Sequence, residues 1–263
     1  MLGRAFAGLR RPEVRTYGRA EFELGRSNPF DLLERERPKL VINCAAYTEV
    51  DKAEAEPELA HLVNAQAVGQ LAEACRAFGS GLIHFSTDYV FDGSSSEPYE
   101  PHAPKRPINV YGRTKSDGED RALQSGAELL IVRTSWVFAP WGKNFVRTMG
   151  DLLRTRSEVR VVADQLGCPT YAPDLAATAL ALYESNVRGI THVTNGPPVS
   201  WYEFALAIQD AQGSTAQVTP VSSAEFPRPA PRPRYSVLSS TSGYGEGALT
   251  PDFRQYLPAA LAP

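Results

Sequence analysis

Tyr111 and Lys115 stand four positions apart and have the types and spacing for proton transfer. On a helix, residues i and i+4 share a face, so a phenol and an ammonium converge on one small volume. A phenol with a pKa of about 10 is a poor acid–base catalyst at neutral pH, and a neighbouring ammonium favours its ionised form and lowers that value. Upstream lies Ser86-Thr87-Asp88-Tyr89. At the carboxyl end of a buried strand, its hydroxyls can reach the same carbonyl oxygen as Tyr111. Taken singly, Tyr-x-x-x-Lys recurs by chance on solvated helices, and Ser-Thr-Asp equally describes a turn bonded to its own backbone. Together they point to one site for chemistry at a carbonyl.

The flanking residues predict elements that bring the two segments together. Residues 39–43 form a short apolar run after Pro38, the pattern of a strand buried on both faces of a parallel sheet. From Glu58 onward, Leu59, Leu62, Val63, Ala67, Leu71, Ala72 and Cys75 recur at helical spacing, with Gly79 and Gly81 ending the helix. Residues 81–87 are the next strand. A Gly/Ser/Pro-rich loop over 92–107 leads to the helix that carries Tyr111 and Lys115. Residues 129–135 and 190–194 read as further strands, with a helix over 175–184 before the last, and 14–17 as an early one.

This alternation predicts an α/β fold: a Rossmann-type doubly wound parallel sheet whose ligands sit beyond the carboxyl ends of its strands. Residues 1–140 are assigned to a dinucleotide-binding domain, to which 157–195 return in part. Residues 141–156 and 196–263, richer in Pro, Trp and Tyr and less regular, are assigned to a smaller substrate-binding lobe. The Pro/Arg-rich stretch 226–234 reads as an extended loop closing that lobe rather than as a Pro-rich recognition ligand.

Bulk properties exclude several classes. A chain of 263 residues, 43% hydrophobic and 22% charged, has material for a full core. A net charge of -3 without a basic run disfavours nucleic acid as a partner. The longest apolar runs are too short for a bilayer span and the N-terminus lacks a signal-peptide pattern, so no membrane partner and a cytoplasmic location are expected. Cys44, Cys75 and Cys168 are too scattered for a disulfide framework and read as buried thiols. His61, His84, His102 and His192 share no metal-ligand spacing, so no metal site is expected.

Four blocks carry a resemblance: Asn43-Cys-Ala-Ala-Tyr-Thr-Glu-Val-Asp-Lys-Ala-Glu54, Ser86-Thr-Asp-Tyr-Val-Phe-Asp-Gly93, Asn109-Val-Tyr-Gly-Arg-Thr-Lys115 and Arg133-Thr-Ser-Trp-Val-Phe138. They closely resemble dTDP-4-dehydrorhamnose reductases, extended members of the short-chain dehydrogenase/reductase superfamily. Gly142-Lys-Asn-Phe-Val146, Asp164-Gln-Leu-Gly-Cys-Pro-Thr170 and Ser200-Trp-Tyr-Glu-Phe204 extend the likeness over nearly the whole chain. The resemblance implies a catalytic group of Thr87, Tyr111 and Lys115. Tyr111 protonates the C4 oxygen as NADPH or NADH delivers hydride, Thr87 polarises the carbonyl, and Lys115 holds the nicotinamide ribose. It places Asp88, Tyr89 and Trp136, with Asn144 and Arg232, around a dTDP-sugar. Gly3, Arg19, Glu23, Leu24, Ala45, Ala46 and Tyr47 fall on cofactor-binding segments. A homodimer stays open.

The family opens with a strand and a Gly-x-x-Gly-x-x-Gly turn that cradles the cofactor pyrophosphate. Here Met1-Leu-Gly-Arg-Ala5 aligns with the end of that motif, leaving only Gly3. The expectation is a natural chain longer by roughly a dozen residues, the length of a strand plus its turn, with a truncated homologue as the alternative; a stop codon just upstream of Met1 would sink the first. The absence is expected to leave two neighbouring strands with unpaired edges. Arg19, where an acidic residue would favour the NAD ribose, leans toward NADPH. Tyr235 replaces the family's usual Asn after Arg232-Pro. Two other classes share parts of the pattern: regulatory proteins such as the methionine adenosyltransferase beta subunit, and sugar-nucleotide epimerases or dehydratases, to which Asp88 beside Thr87 is a partial pointer.

Overall fold

Burying apolar runs of opposite periodicity forces strands inward and amphipathic helices onto their faces, and the chain builds its sheet accordingly. A computed structural model describes residues 1–240 and 250–262. Helix α1 (Leu2–Gly8) opens the chain, followed by α2 (Pro29–Glu36), which Asn28 caps by accepting the Phe30 N–H. Strand β1 (Leu40–Asn43) leads through α3 (Val50–Ala53) and α4 (Pro57–His61) into a π-helical turn, Leu62–Gln66, and then α5 (Ala67–Phe78). Gly79, at φ +67°, closes α5 in the left-handed conformation that favours glycine. Gly81 instead begins β2 (Gly81–Thr87), where a Cβ would lie 1.6 Å from the Tyr183 hydroxyl. Helix α6 (Val110–Gln124), β3 (Leu129–Thr134) and a short β4 (Val137–Phe138) follow.

Helix α7 (Phe145–Thr155) precedes β5 (Glu158–Val162), β6 (Leu166–Gly167) and β7 (Thr170–Tyr171). Helix α8 (Ala172–Glu184) then leads to β8 (Gly189–His192). The remainder holds β9 (Val199–Ser200), α9 (Trp201–Gln212), β10 (Gln217–Val221) and α10 (Leu257–Leu261).

The central sheet is parallel, in the order β1-β2-β3-β8. Alternation along β2 sorts its side chains. Ile83 and Phe85 pack with Leu130, Val132, α1 and α8 on one face; Leu82 packs with Leu71, Ala122 and Leu129 under α5 and α6 on the other. His84 and Ser86 share the face of Leu82 and so look toward α6. A second core gathers Phe138, Val146, Leu153, Val159, Val199, Phe204 and Leu257, with β5 and β10 paired in parallel. This second unit is more regular than its composition suggested. Asn144 caps α7, and a Ser200/Glu203 capping box starts α9. No helix among the described residues is long and apolar enough to cross a membrane.

Three expectations need correction. Residues 14–17 form no strand: Val14 donates only to the Arg11 carbonyl, in a turn. An isolated extended segment lacks the ladder bonds that stabilise it, and among the described residues β1 pairs only with β2. Of the two strands expected to be left with a free edge only β1 is formed, and its Leu40, Val41 and Ile42 are half-buried. Finally, Cys75 and Cys168 are buried, whereas Cys44, at the end of that edge strand, is half-exposed.

Candidate active site

The site lies where β2 ends against the start of α6. Asn109 caps α6 by accepting the Gly112 N–H at 2.7 Å, while Glu54 accepts the Val110 N–H at 2.7 Å. A Cβ on Gly112 would sit 2.1 Å from the Tyr89 carbonyl oxygen, so glycine permits the helix to abut the Asp88–Val90 turn. This contact sets Tyr111 beside Tyr89, edge to face at 5.8 Å. Burial pushes the Tyr111 phenol up to about 12; the Thr87 hydroxyl opposes the shift and Asp88 adds to it. Thr87 donates to Asp88 Oδ1 at 2.9 Å and accepts the Tyr89 N–H at 3.2 Å. Asp88 is buried, and desolvation raises it to about 6 against the pull of the Ser236 and Thr87 hydroxyls. Its Oδ2 lacks a well-formed hydrogen bond.

One turn along α6, Lys115 is 2% exposed. Its Nζ donates to the Phe85 carbonyl at 2.6 Å and faces His84 Nε2 at 3.4 Å. Burial lowers it to about 8, with Glu119 opposing. The spacing suggested that Lys115 lowers the pKa of Tyr111, but Lys115 Nζ turns toward β2 and desolvation governs the phenol instead. A further turn on, fully buried Glu119 accepts from Arg133 Nε at 2.8 Å, Arg133 Nη2 at 2.7 Å and Ser86 Oγ at 2.5 Å. Burial alone would raise this carboxyl; the Arg133 fork, Ser86 and Lys105 reverse the effect and leave it below the usual range. Ser86 is thereby clamped next to Thr87. The Lys115/Glu119 spacing on one helix face was a signal for this carboxylate, while its partner Arg133 had none.

The other sequence-predicted residues divide. Ala45 is exposed and Ala46 half-exposed past the end of β1, and the Ala45 N–H donates to Asn43 Oδ1 at 3.0 Å. Tyr47 is tied by its N–H to Asn64 and by its hydroxyl to Glu56, at 2.9 and 2.8 Å. Arg232 reaches Asp51 at 3.0 Å and donates to the Ala230 carbonyl. Asp51 also pairs with Arg228, so two ion pairs tie the 226–234 stretch to α3. Trp136 stacks on Trp201, centroids 3.5 Å apart, with its backbone at φ +46°. That conformation is costly for a bulky residue, and the Thr170 N–H bond to its carbonyl helps hold it. Asn144 is buried and its amide is spent on the α7 cap and on the Ala139 carbonyl, so it presents nothing to a ligand.

Leu24 is core, packed with Leu33 and Leu71. Glu23 pairs with Arg26, and Arg19 is exposed in a turn. Gly3 is exposed on α1, with Cys44 Cβ 3.8 Å from where its own Cβ would be. For a dinucleotide, Ala45 and Ala46 follow the carboxyl end of β1 with no side chain beyond Cβ, and Ala45 is linked to Lys115 through Asn43 and His84. At the pyrophosphate end, the described residues offer only the short α1 and no enclosing glycine turn.

A parallel doubly wound sheet with a Thr-Tyr-Lys group at its carboxyl ends defines an extended short-chain dehydrogenase/reductase. Residues 9–263 match the family described as RmlD substrate binding domain. The chain is 46% identical over 229 residues to the dTDP-4-dehydrorhamnose reductase of Mycolicibacterium smegmatis, covering 85% of this chain and 70% of that one. It is 47% identical over 232 residues to the Mycobacterium tuberculosis reductase, covering 85% and 76%. A solved structure of the Bacillus anthracis reductase in complex with NADP superposes with a TM-score of 0.93 at 36% identity, covering 97% of this chain and 93% of that one. This chain belongs to the dTDP-4-dehydrorhamnose reductase family.

Proposed function

We propose that this chain reduces dTDP-4-dehydro-L-rhamnose to dTDP-L-rhamnose in nucleotide-sugar synthesis for cell-surface polysaccharide, with NADPH or NADH as reductant. The observation that carries the proposal is the Tyr111 phenol set beside the Thr87 hydroxyl where β2 ends, in a chain of this family. Reduction of a carbonyl leaves an alkoxide that needs a proton, and a phenol pushed up to about 12 retains its proton throughout the physiological range. The chemistry that the nicotinamide supplies when bound is a hydride to C4. Tyr111 donates the proton to the C4 oxygen, and Thr87 hydrogen-bonds that oxygen as charge develops on it. Lys115 takes the nicotinamide ribose, exchanging its bond to the Phe85 carbonyl for ribose hydroxyls.

Asp88, Tyr89 and Trp136 border the sugar and nucleotide, and Arg232, released from Asp51, contributes a cation to the diphosphate. Asn144 acts through the α7 cap instead of by contact. In this proposal the sheet and the second core serve as cofactor domain and substrate lobe respectively. Turnover is read as loss of NADPH absorbance with dTDP-4-dehydro-L-rhamnose. Tyr111→Phe is expected to lower kcat by about 10²–10⁴-fold, the size of a lost general acid, with little change in unfolding midpoint. Undiminished turnover in that variant refutes the mechanism.

A further inference from the structure

His84 is fully buried on β2 and has no part in the mechanism above. Its ring joins a chain of four groups. The Ala45 N–H donates to Asn43 Oδ1 at 3.0 Å; Asn43 Nδ2 faces His84 Nδ1 at 3.1 Å; His84 Nε2 faces Lys115 Nζ at 3.4 Å; and Lys115 Nζ donates to the Phe85 carbonyl at 2.6 Å. A backbone N–H can only donate, so it fixes the Asn43 amide with its oxygen toward Ala45 and its NH₂ toward the ring. Nδ1 must then accept, and a neutral imidazole places its single proton on Nε2. That proton points at Lys115. A neutral amine accepts it with its lone pair and still donates to Phe85, whereas an ammonium has no lone pair and opposes it. Charging Lys115 therefore requires the other tautomer, with Nδ1 protonated and Nε2 accepting. Asn43 must then turn its oxygen to the ring and release the Ala45 N–H.

We infer that His84 is a positioning residue whose tautomer sets the charge of Lys115, and that Asn43 links that tautomer to the Ala45 backbone amide on the proposed cofactor side. A ligand group that takes the Ala45 N–H frees Asn43 to turn, and so favours the ammonium that holds a ribose. His84 itself stays neutral, since burial and then Lys115 hold its pKa well below the usual value. The other titratable group acting on Lys115 is Glu119 on α6, itself paired with Arg133 on β3 and with Lys105. Glu119 is ionised across the range concerned, because those cations hold its pKa low. Its pull on Lys115 is constant, and the switch lies with His84.

The inference takes the reductase function for its kinetic consequence but not for its structural one, and the test has one arm for each. In ¹⁵N-histidine-labelled native protein, the His84 ring nitrogens report the tautomer directly. Nε2–H is expected at alkaline pH, passing to Nδ1–H as Lys115 gains its proton, with no doubly protonated ring. One unchanging tautomer across the titration overturns the inference whether or not the protein turns over sugar. In the kinetic arm, Asn43→Ser replaces the amide by a hydroxyl that can donate to or accept from Nδ1, freeing the tautomer that tolerates an ammonium without adding a charge. The alkaline limb of kcat is expected to move up by about one pH unit, near a tenfold gain in rate on that limb. An unmoved limb overturns the coupling.

Discussion

The α6 wall of the site and the β1 edge beside it are built in opposite ways. Along the wall, Lys115, Glu119, Arg133, Ser86 and Thr87 are each less than a tenth exposed, and the Glu119 carboxylate is satisfied by several donors. Along the edge, α1 and β1 are seated by apolar packing and by the ladder to β2, and residues 10–28 mainly by turns, the buried Leu24 and solvent-facing ion pairs such as Arg15–Glu36. The geometry of the candidate site is thus stored in side chains that cannot relax without leaving a buried charge unpaired. The edge has no comparable anchor. Only the Asn43–His84 contact carries the state of the β1 end into this wall.

The sharpest break comes from the wall. Glu119→Ala strands the buried Arg133 guanidinium and is expected to cost about 3–5 kcal/mol, read from the urea midpoint. A change under about 1 kcal/mol, the range of an exposed pair, would show the wall to be no firmer than the edge. Asp88 gives a smaller effect of opposite sign. A carboxyl whose folded pKa is raised from 3.8 to about 6 contributes stability below 3.8 that is lost as pH climbs through 6. Asp88→Asn, neutral at every pH, should accordingly be more stable than the native chain by about 2–3 kcal/mol at pH 7.5, the gain vanishing near pH 3.8. A pH-independent difference between their unfolding curves would contradict the raised carboxyl. On the edge, Arg15→Ala should leave the urea midpoint unmoved, because exposed ion pairs are screened; a clear loss there would erase the contrast.

Much of the frame was legible because it follows from local periodicity. The apolar runs at 39–43, 81–87 and 129–135 become β1, β2 and β3, and Gly79 closes α5 as its type suggests. Residues 14–17 have equally good strand composition and fail, since a strand exists only with a neighbour and composition does not supply one. The second core was underread because its signals are caps instead of runs: Asn144 before α7 and Ser200 with Glu203 at α9. At the candidate site, Tyr111 and Lys115 stood out by type and spacing, and Thr87 within Ser86-Thr87-Asp88 through the family resemblance. The groups that govern their protonation did not.

By itself the sequence determined that Tyr111 and Lys115 share a helix face and that Thr87 ends a buried strand, since helical and strand periods act over a few residues. Only the tertiary structure decided that Glu119 meets Ser86 and Arg133, 33 and 14 positions away, and that His84 meets Asn43, 41 positions away. Periodicity specifies which side of an element faces inward; the register and packing of separate elements select the partner it finds there. The charge of Lys115 belongs to that second kind of information, because it depends on which proton a histidine across the strand–helix interface can hold.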